Sequence, residues 1–351
     1  MRHTRSSSRR RRAWTVKIWP ALLLGALVAF AAAPASAQTP PDVKAEMPKL
    51  DQLLSGVVRI KSYINPEGRT VASLGRERTG SGVVIDGSGL VVTIGYLMVE
   101  AHSAELITQD NRTVKAEVLG YDHDTGFGLL KAISPMNVRP FMLGKSGELK
   151  EKEPVLAASW GGINGVAPAL VGAKREFAGG WEYLIDGAIF TTPPHNDWSG
   201  AALINKEGKL VGVGSLIITD ITGKGANAPG NMYVPIDLLT PVLADLISGA
   251  SGQGKPRPWI GLTTEEVRGR LFVARTTPGS PAEKAGLRKG DIIVGVGGEP
   301  AAGLADFYRK IWKQGEAGAN VPLDILGDGG MKRVDIKSMN RNDHLRLKTT
   351  F

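Results

Sequence analysis

The chain has five histidines and no cysteine. Cysteine nucleophiles, zinc ribbons and disulfide scaffolds are therefore excluded. No grouping of histidine and acidic residues has metal-ligand spacing, so neither a metal nor any other cofactor is expected. Gly144-Lys145-Ser146 is spelled like the end of a phosphate-binding loop. Arg139 stands where the first glycine of that loop belongs, so no phosphate cradle is expected. Histidine is the side chain suited to accept a proton near neutral pH. Four histidines follow residue 37: His102, His123 between Asp122 and Asp124, His195, and His344. Trp160, Trp181 and Trp198 are candidates for a binding surface or for packing inside a β-rich domain.

The formal charge of +9 is concentrated at the start of the chain. Arg2, Arg5, Arg9, Arg10, Arg11, Arg12 and Lys17 precede an uncharged apolar run from Ala21 to Ala33 and then Ala35-Ser36-Ala37. A basic segment, a short apolar segment and small residues at a cleavage point, in that order, make residues 1–37 a secretory signal peptide. The remainder carries 36 of the 43 basic residues against 34 acidic ones. A nearly neutral chain offers no support for nucleic-acid binding. General secretion is favoured over twin-arginine export, because Trp14 departs from the usual residue after Arg11-Arg12. The alternative is an uncleaved inner-membrane anchor facing the periplasm. Ile18 to Ala33 is short for a span and contains Pro20, so no stable span is expected after cleavage. A cysteine-free exported chain suits a bacterial periplasm.

Residues 38–52 contain Pro40, Pro41 and Pro48 and read as an extended lead-in. Residues 53–247 show short alternating apolar runs broken by turn residues. Val83-Val84-Ile85 and Leu90-Val91-Val92 flank Asp86-Gly87-Ser88-Gly89, and Leu203-Ile204 and Leu210-Val211 flank Lys206-Glu207-Gly208-Lys209. Both are hairpin signals, and their recurrence indicates an all-β barrel or sandwich. Within this region only Ile236 to Ile247 reads as a longer helix. Residues 248–258 form a flexible linker, rich in glycine and serine at its start. Residues 259–339 form a small α+β module. Ser280-Pro281-Ala282-Glu283 opens one helix as a capping box, and Leu304, Phe307, Tyr308, Ile311 and Trp312 mark one face of another. Residues 340–351 are read as a C-terminal tail.

Gly80-Ser81-Gly82-Val83-Val84-Ile85, Val91-Val92-Thr93 and Ser199-Gly200-Ala201-Ala202-Leu203-Ile204-Asn205 resemble segments of the HtrA/Deg family of periplasmic trypsin-like serine proteases. The run from Pro278 to Ile293 resembles the signature of the PDZ domain that follows the protease domain in that family. This resemblance spans nearly the whole chain after residue 37. It implies a mainly β fold: a chymotrypsin-like double β-barrel with its active site between the barrels, followed by one small α+β PDZ domain.

The resemblance also assigns positions, and several hold the wrong residue for proteolysis. Ser199 occupies the nucleophile position. Tyr96 stands at the histidine position, Gly126 at the aspartate position, and Asp197 at the glycine whose N–H helps to form the oxyanion hole. A phenol with a pKa near 10 is ionised in only about one molecule per thousand at pH 7, and glycine cannot orient a base. In a comparable triad, loss of the base costs on the order of 10⁶ in rate. His123 and His195 are substitute bases if either side chain reaches Ser199.

The expectation is a catalytically impaired homologue that binds polypeptides in quality control or regulation. Alternatives are an active endopeptidase degrading misfolded periplasmic proteins with a relocated base, and a non-catalytic subunit in mixed oligomers with active paralogues. Trp259-Ile260-Gly261-Leu262 resembles the PDZ carboxylate-binding loop, which implies that unfolded polypeptides or protein C-termini are the partners. The opposing possibility is that this groove docks internally on the barrel. A homotrimer is an expectation by analogy only, since Gln38 to Gly56 lacks the aromatic residues that commonly hold family trimers together.

Overall fold

The computed structural model describes residues 43–249 and 255–347. The proposed signal peptide lies outside the described residues, as do the centre of the linker and the last four residues of the tail. Among the described residues no helix is long and apolar enough to cross a membrane, and no cluster of side chains is suited to a metal ion.

Two six-stranded barrels follow one another, each closed on itself. The first is built from β1 (Val57–Ile64), β2 (Glu77–Val84), β3 (Leu90–Ile94), β4 (Ala101–Ile107), β5 (Thr113–Tyr121) and β6 (Phe127–Ala132), in the order β1-β2-β3-β6-β5-β4. The second contains β7 (Pro154–Ala158), β8 (Val166–Gly179), β9 (Tyr183–Thr192), β10 (Ala202–Ile204), β11 (Leu210–Ile218) and β12 (Gly230–Pro235), in the order β10-β11-β12-β9-β8-β7. Closure removes the unpaired edges that a sheet of short strands would otherwise expose. The β2–β3 turn forms as its sequence suggests, with the Asp86 carboxylate accepting the N–H groups of Ser88 and Leu90.

One apolar core runs from barrel to barrel. Val57, Val83, Val92 and Phe127 of the first meet Ala158, Ala202, Val213 and Val234 of the second, and helix α3 (Leu239–Ser248) adds Leu239, Val242 and Leu246. At roughly 1.5–3 kcal/mol for each large apolar side chain buried, this shared core fixes the barrels against each other. A site built from loops of both barrels is thereby held rigid.

The extended lead-in expected over residues 38–52 is corrected for residues 43–52, because helix α1 spans Val43–Leu54 with Pro48 inside it. Proline removes one helical hydrogen bond and disfavours such a position locally. Burial of Leu54 and packing of Leu50 and Leu53 on the inter-barrel core oppose that cost. A second, single-turn helix, α2 (Val71–Leu74), lies between β1 and β2.

The third module is a sheet of β13 (Leu262–Val267), β14 (Arg270–Thr276), β15 (Ile292–Val296), β17 (Asn320–Gly327) and β18 (Gly330–Lys337), with the short β16 (Glu299–Pro300) paired to β15. Two helices accompany it: α4 (Pro281–Lys284), capped by the Ser280 hydroxyl, and α5 (Leu304–Lys313), whose buried face is Leu304, Phe307, Tyr308 and Ile311. β13 lies at one edge of this sheet.

Residues 340–347 of the segment that the sequence suggests is a tail are instead bound to the barrel. Helix α6 (Arg341–His344) places Asn342 Oδ1 2.8 Å from His123 Nε2, and the Arg346 N–H donates to Glu100 at 2.8 Å. Polar contacts with barrel groups and packing of the buried His344 ring on Trp259, 4.8 Å between centroids, order this segment.

Candidate active site and peptide groove

Ser199 sits in the turn before β10, half-buried at the junction of the barrels. Its carbonyl accepts the Ser81 N–H of β2 at 2.8 Å. The approach is so close that a Cβ on Gly80 would lie 3.0 Å from Ser199 Oγ, and one on Gly200 would run into the Ser81 carbonyl. Gly200 also has φ +72°, a conformation that favours glycine. These two glycines let the first barrel press directly on the serine turn of the second.

Tyr96 reaches the serine. It lies in the helical turn Gly95–Leu97 after β3, and its hydroxyl donates to Ser199 Oγ at 2.7 Å. The same hydroxyl is 3.4 Å from the Ser215 carbonyl, and the ring lies 6.1 Å from that of Trp198. Burial pushes the phenol pKa well above its ordinary value despite the Ser199 hydrogen bond. Tyr96 is therefore held neutral, and a neutral phenol is not the proton acceptor that a nucleophile requires.

The Tyr96 turn is held from below by Arg78. This buried guanidinium donates to the carbonyls of Tyr96 at 2.7 Å and Val99 at 3.1 Å, and to the Thr70 hydroxyl at 2.7 Å. Burial lowers its pKa to about 10, with the Glu100 charge acting in the other direction. The Glu100 carboxyl is lowered: burial opposes the shift, but donors from Thr70, Arg346 and Arg69 outweigh it.

Gly126 occupies the turn between β5 and β6, with φ +82°. Its carbonyl accepts the N–H of Gly95, immediately before Tyr96, at 2.7 Å. A Cβ at Gly126 would lie 2.8 Å from the Tyr183 hydroxyl, which itself donates to the Thr125 carbonyl at 2.7 Å. A Cβ on Gly95 would likewise run into the Tyr121 ring. The space beside these glycines is thus filled by Tyr183 and Tyr121.

Neither substitute base is hydrogen-bonded to Ser199. His123 is half-buried, packed against Tyr121 with ring centroids 4.3 Å apart, and faces Asn342. His195 is held through its backbone by the Asn231 amide, and its Nε2 is buried without a partner among the described residues. His102 stands on β4. Asp197 is exposed and does not adopt a positive φ.

Burial drives the His123 pKa well below its ordinary value of 6.5, with nearby Arg341 adding to the shift and Asn342 opposing it. A base whose folded pKa is depressed supports stability fully above its unfolded pKa, and that stability is lost as pH falls below 6.5 toward the folded value. The limiting slope is about 1.4 kcal/mol per pH unit. Thermal melts from pH 7.5 to 5.5 should therefore show His123→Gln to be less acid-sensitive than the parent by roughly 1 kcal/mol. Parallel pH profiles for the two proteins would refute this assignment.

In the loop Trp259-Ile260-Gly261-Leu262, Gly261 has φ +81° and the N–H groups of Ile260, Gly261 and Leu262 converge. They converge on Glu182, a residue that sequence reasoning missed. The Glu182 carboxylate accepts from Ile260 at 3.1 Å, Gly261 at 2.7 Å and Leu262 at 2.8 Å. Burial raises its pKa, while these three donors and Arg341 act in the opposite direction. The groove is docked on the barrel, the opposing possibility stated above. Gly179-Gly180 marks a hairpin tip in the sequence, but nothing local reveals that the tip reaches another module. Arg78, Tyr121 and Tyr183 were also missed, since their roles depend on contacts between distant segments.

Fold and site together define a protein of the trypsin-like peptidase and PDZ type, the two barrels forming the first domain and the third module the second. Residues 80–213 match the trypsin-like peptidase domain family, and residues 258–338 match the PDZ domain family. The chain has HtrA/DegP homologues. It is 29% identical over 274 residues to a probable periplasmic serine endoprotease, DegP-like, of Pseudomonas putida, covering 73% of this chain and 55% of that protein. It is 31% identical over 288 residues to the protein of the same description in Hahella chejuensis, covering 76% and 59%. The chain thus spans little more than half the length of these curated relatives. The solved HtrA-type protease AlgW with decapeptide shares the fold, with a TM-score of 0.50 at 18% identity, covering 86% of this chain and 98% of that one.

Proposed function

We propose that this chain is an exported HtrA/DegP-like homologue of the periplasm in which hydrolysis by Ser199 is lost or vestigial and which acts by binding polypeptides. One observation carries the reading: the residue in contact with Ser199 Oγ is Tyr96, a half-buried, neutral phenol 2.7 Å from that oxygen. Serine acylation needs a group that removes the hydroxyl proton as the bond to carbon forms. Neither His123 nor His195 offers a hydrogen bond to Ser199. Periplasmic location is supported by the descriptions of the relatives.

A second reading, an active serine endopeptidase, is favoured by those same descriptions, which are of endoproteases, and by the retention of Ser199. The two separate cleanly. Purified protein incubated with unfolded casein should release peptides at the same background rate as Ser199→Ala. Steady cleavage abolished by Ser199→Ala would establish the endopeptidase instead.

A further inference from the structure

We propose that the tip of the β8–β9 hairpin is a built-in ligand of the PDZ groove, with the Glu182 side chain standing in for a C-terminal carboxylate, so that a polypeptide C-terminus binds only by displacing it. This rests on the polypeptide-binding reading above and adds how that site is regulated.

The mimicry extends beyond the carboxylate. The Thr264 N–H of β13 donates to the Gly180 carbonyl at 2.8 Å, a strand-type hydrogen bond two residues before Glu182. The hairpin therefore runs from Thr264 toward Ile260 while β13 runs away from Leu262, which is the antiparallel direction of an added peptide strand. β13 is a sheet edge, and an edge with free N–H and C=O groups is the template for such an addition. Tyr308, on the helix lining the other wall, donates its hydroxyl to the Gly179 carbonyl at 2.8 Å and accepts the Glu182 N–H at 3.2 Å.

The tip has the composition that this fit demands. A Cβ on Gly180 would lie 2.5 Å from the Thr264 carbonyl oxygen, so glycine is required for the close approach. Glu182 has φ +59°, uncommon for a residue with a side chain, and that conformation aims its carboxylate into the loop. Around the groove, Arg341 donates to the Trp181 carbonyl at 3.3 Å, and Arg309 pairs with Glu176 and Asp186 on the two arms of the hairpin. Ala178 and Leu184 pack on the apolar core of the PDZ module. Exposed ion pairs of this kind contribute little on their own. The carboxylate and strand hydrogen bonds distinguish a filled binding groove from two surfaces that merely touch.

An intramolecular ligand competes at an effective concentration in the millimolar range or above. A free peptide therefore sees an apparent affinity reduced by the fraction of grooves left open. The test uses the full chain and fluorescein-labelled decapeptides ending in valine, leucine or phenylalanine, with the C-terminal amides as controls, read by fluorescence anisotropy. Glu182→Ala should bind at least one free-acid peptide about 10- to 100-fold more tightly than the parent, and the amides should not bind. Glu182→Gln, which keeps the shape but not the charge, should fall between. Hydrogen exchange on the unmutated chain supplies a readout independent of variant folding: saturating peptide should speed exchange of the Glu182 amide and leave that of Thr264 protected. Equal affinity of parent and Glu182→Ala, with no change at Glu182, would overturn the built-in ligand and leave polypeptide binding standing. Absence of binding to either protein would overturn both.

Discussion

Tyr96→His combined with Gly126→Asp, the substitutions that place the histidine and aspartate of the resembled proteases at these positions, should yield a less stable protein that still cleaves no casein. Gly126 has φ +82°, where a residue with a Cβ is strained by about 1–3 kcal/mol. The new carboxylate also enters space that Tyr183 occupies, 2.8 Å from the position of its Cβ. The Tyr183 ring would have to leave, breaking its bond to the Thr125 carbonyl at a cost of about 1 kcal/mol. A total of about 3 kcal/mol corresponds to a melting temperature lower by roughly 6–12 °C for a domain of this size. Calorimetry and a casein assay on the double variant test the two halves. Ser199-dependent cleavage with an unchanged melting temperature would show that the site had kept room for its triad.

Arg78→Met should be the most damaging single change near the site. The guanidinium ties together the Tyr96 and Val99 carbonyls and the Thr70 hydroxyl. It also supplies positive charge near the buried Glu100 carboxylate. Methionine replaces the packing volume but leaves these acceptors unpaired and Glu100 without that charge. Breaking a buried charged network from one side costs about 3–5 kcal/mol, so the melting temperature should fall by roughly 10 °C. Arg78→Lys should recover only part of the loss, because one ammonium cannot reproduce a planar fork of donors. A loss below about 1 kcal/mol for Arg78→Met would refute the role given to this network. Loosening of the turn that carries Tyr96 should also be visible as faster amide exchange at residues 95–99.

Much of the fold was legible because its signals are local. The Asp86-Gly87-Ser88-Gly89 turn, the Ser280 cap and the apolar face of Leu304, Phe307, Tyr308 and Ile311 all depend on residues a few positions apart, and all form as read. The positions of Ser199 and Tyr96 were legible through the resemblance, and they meet at 2.7 Å. The helix at Val43–Leu54 was misread because Pro48 is a local warning, whereas the burial that opposes it is supplied by the barrels.

The residues of the chain by themselves determined the barrel strands, the PDZ module and the presence of Tyr96 and Gly126 at the two positions where the resemblance leads one to expect histidine and aspartate. These are matters of residue type and short-range periodicity, which the chain carries wherever its segments lie. Only the tertiary structure decided what stands beside Gly126 and what filled the loop. Tyr183 stands beside Gly126 although 57 residues separate them, and Glu182 meets Gly261 across 79. The physical reason is that a buried hydroxyl or carboxylate is defined by its partners. Each needs donors or acceptors in place of the water it has lost, and those partners come from segments that only folding brings together.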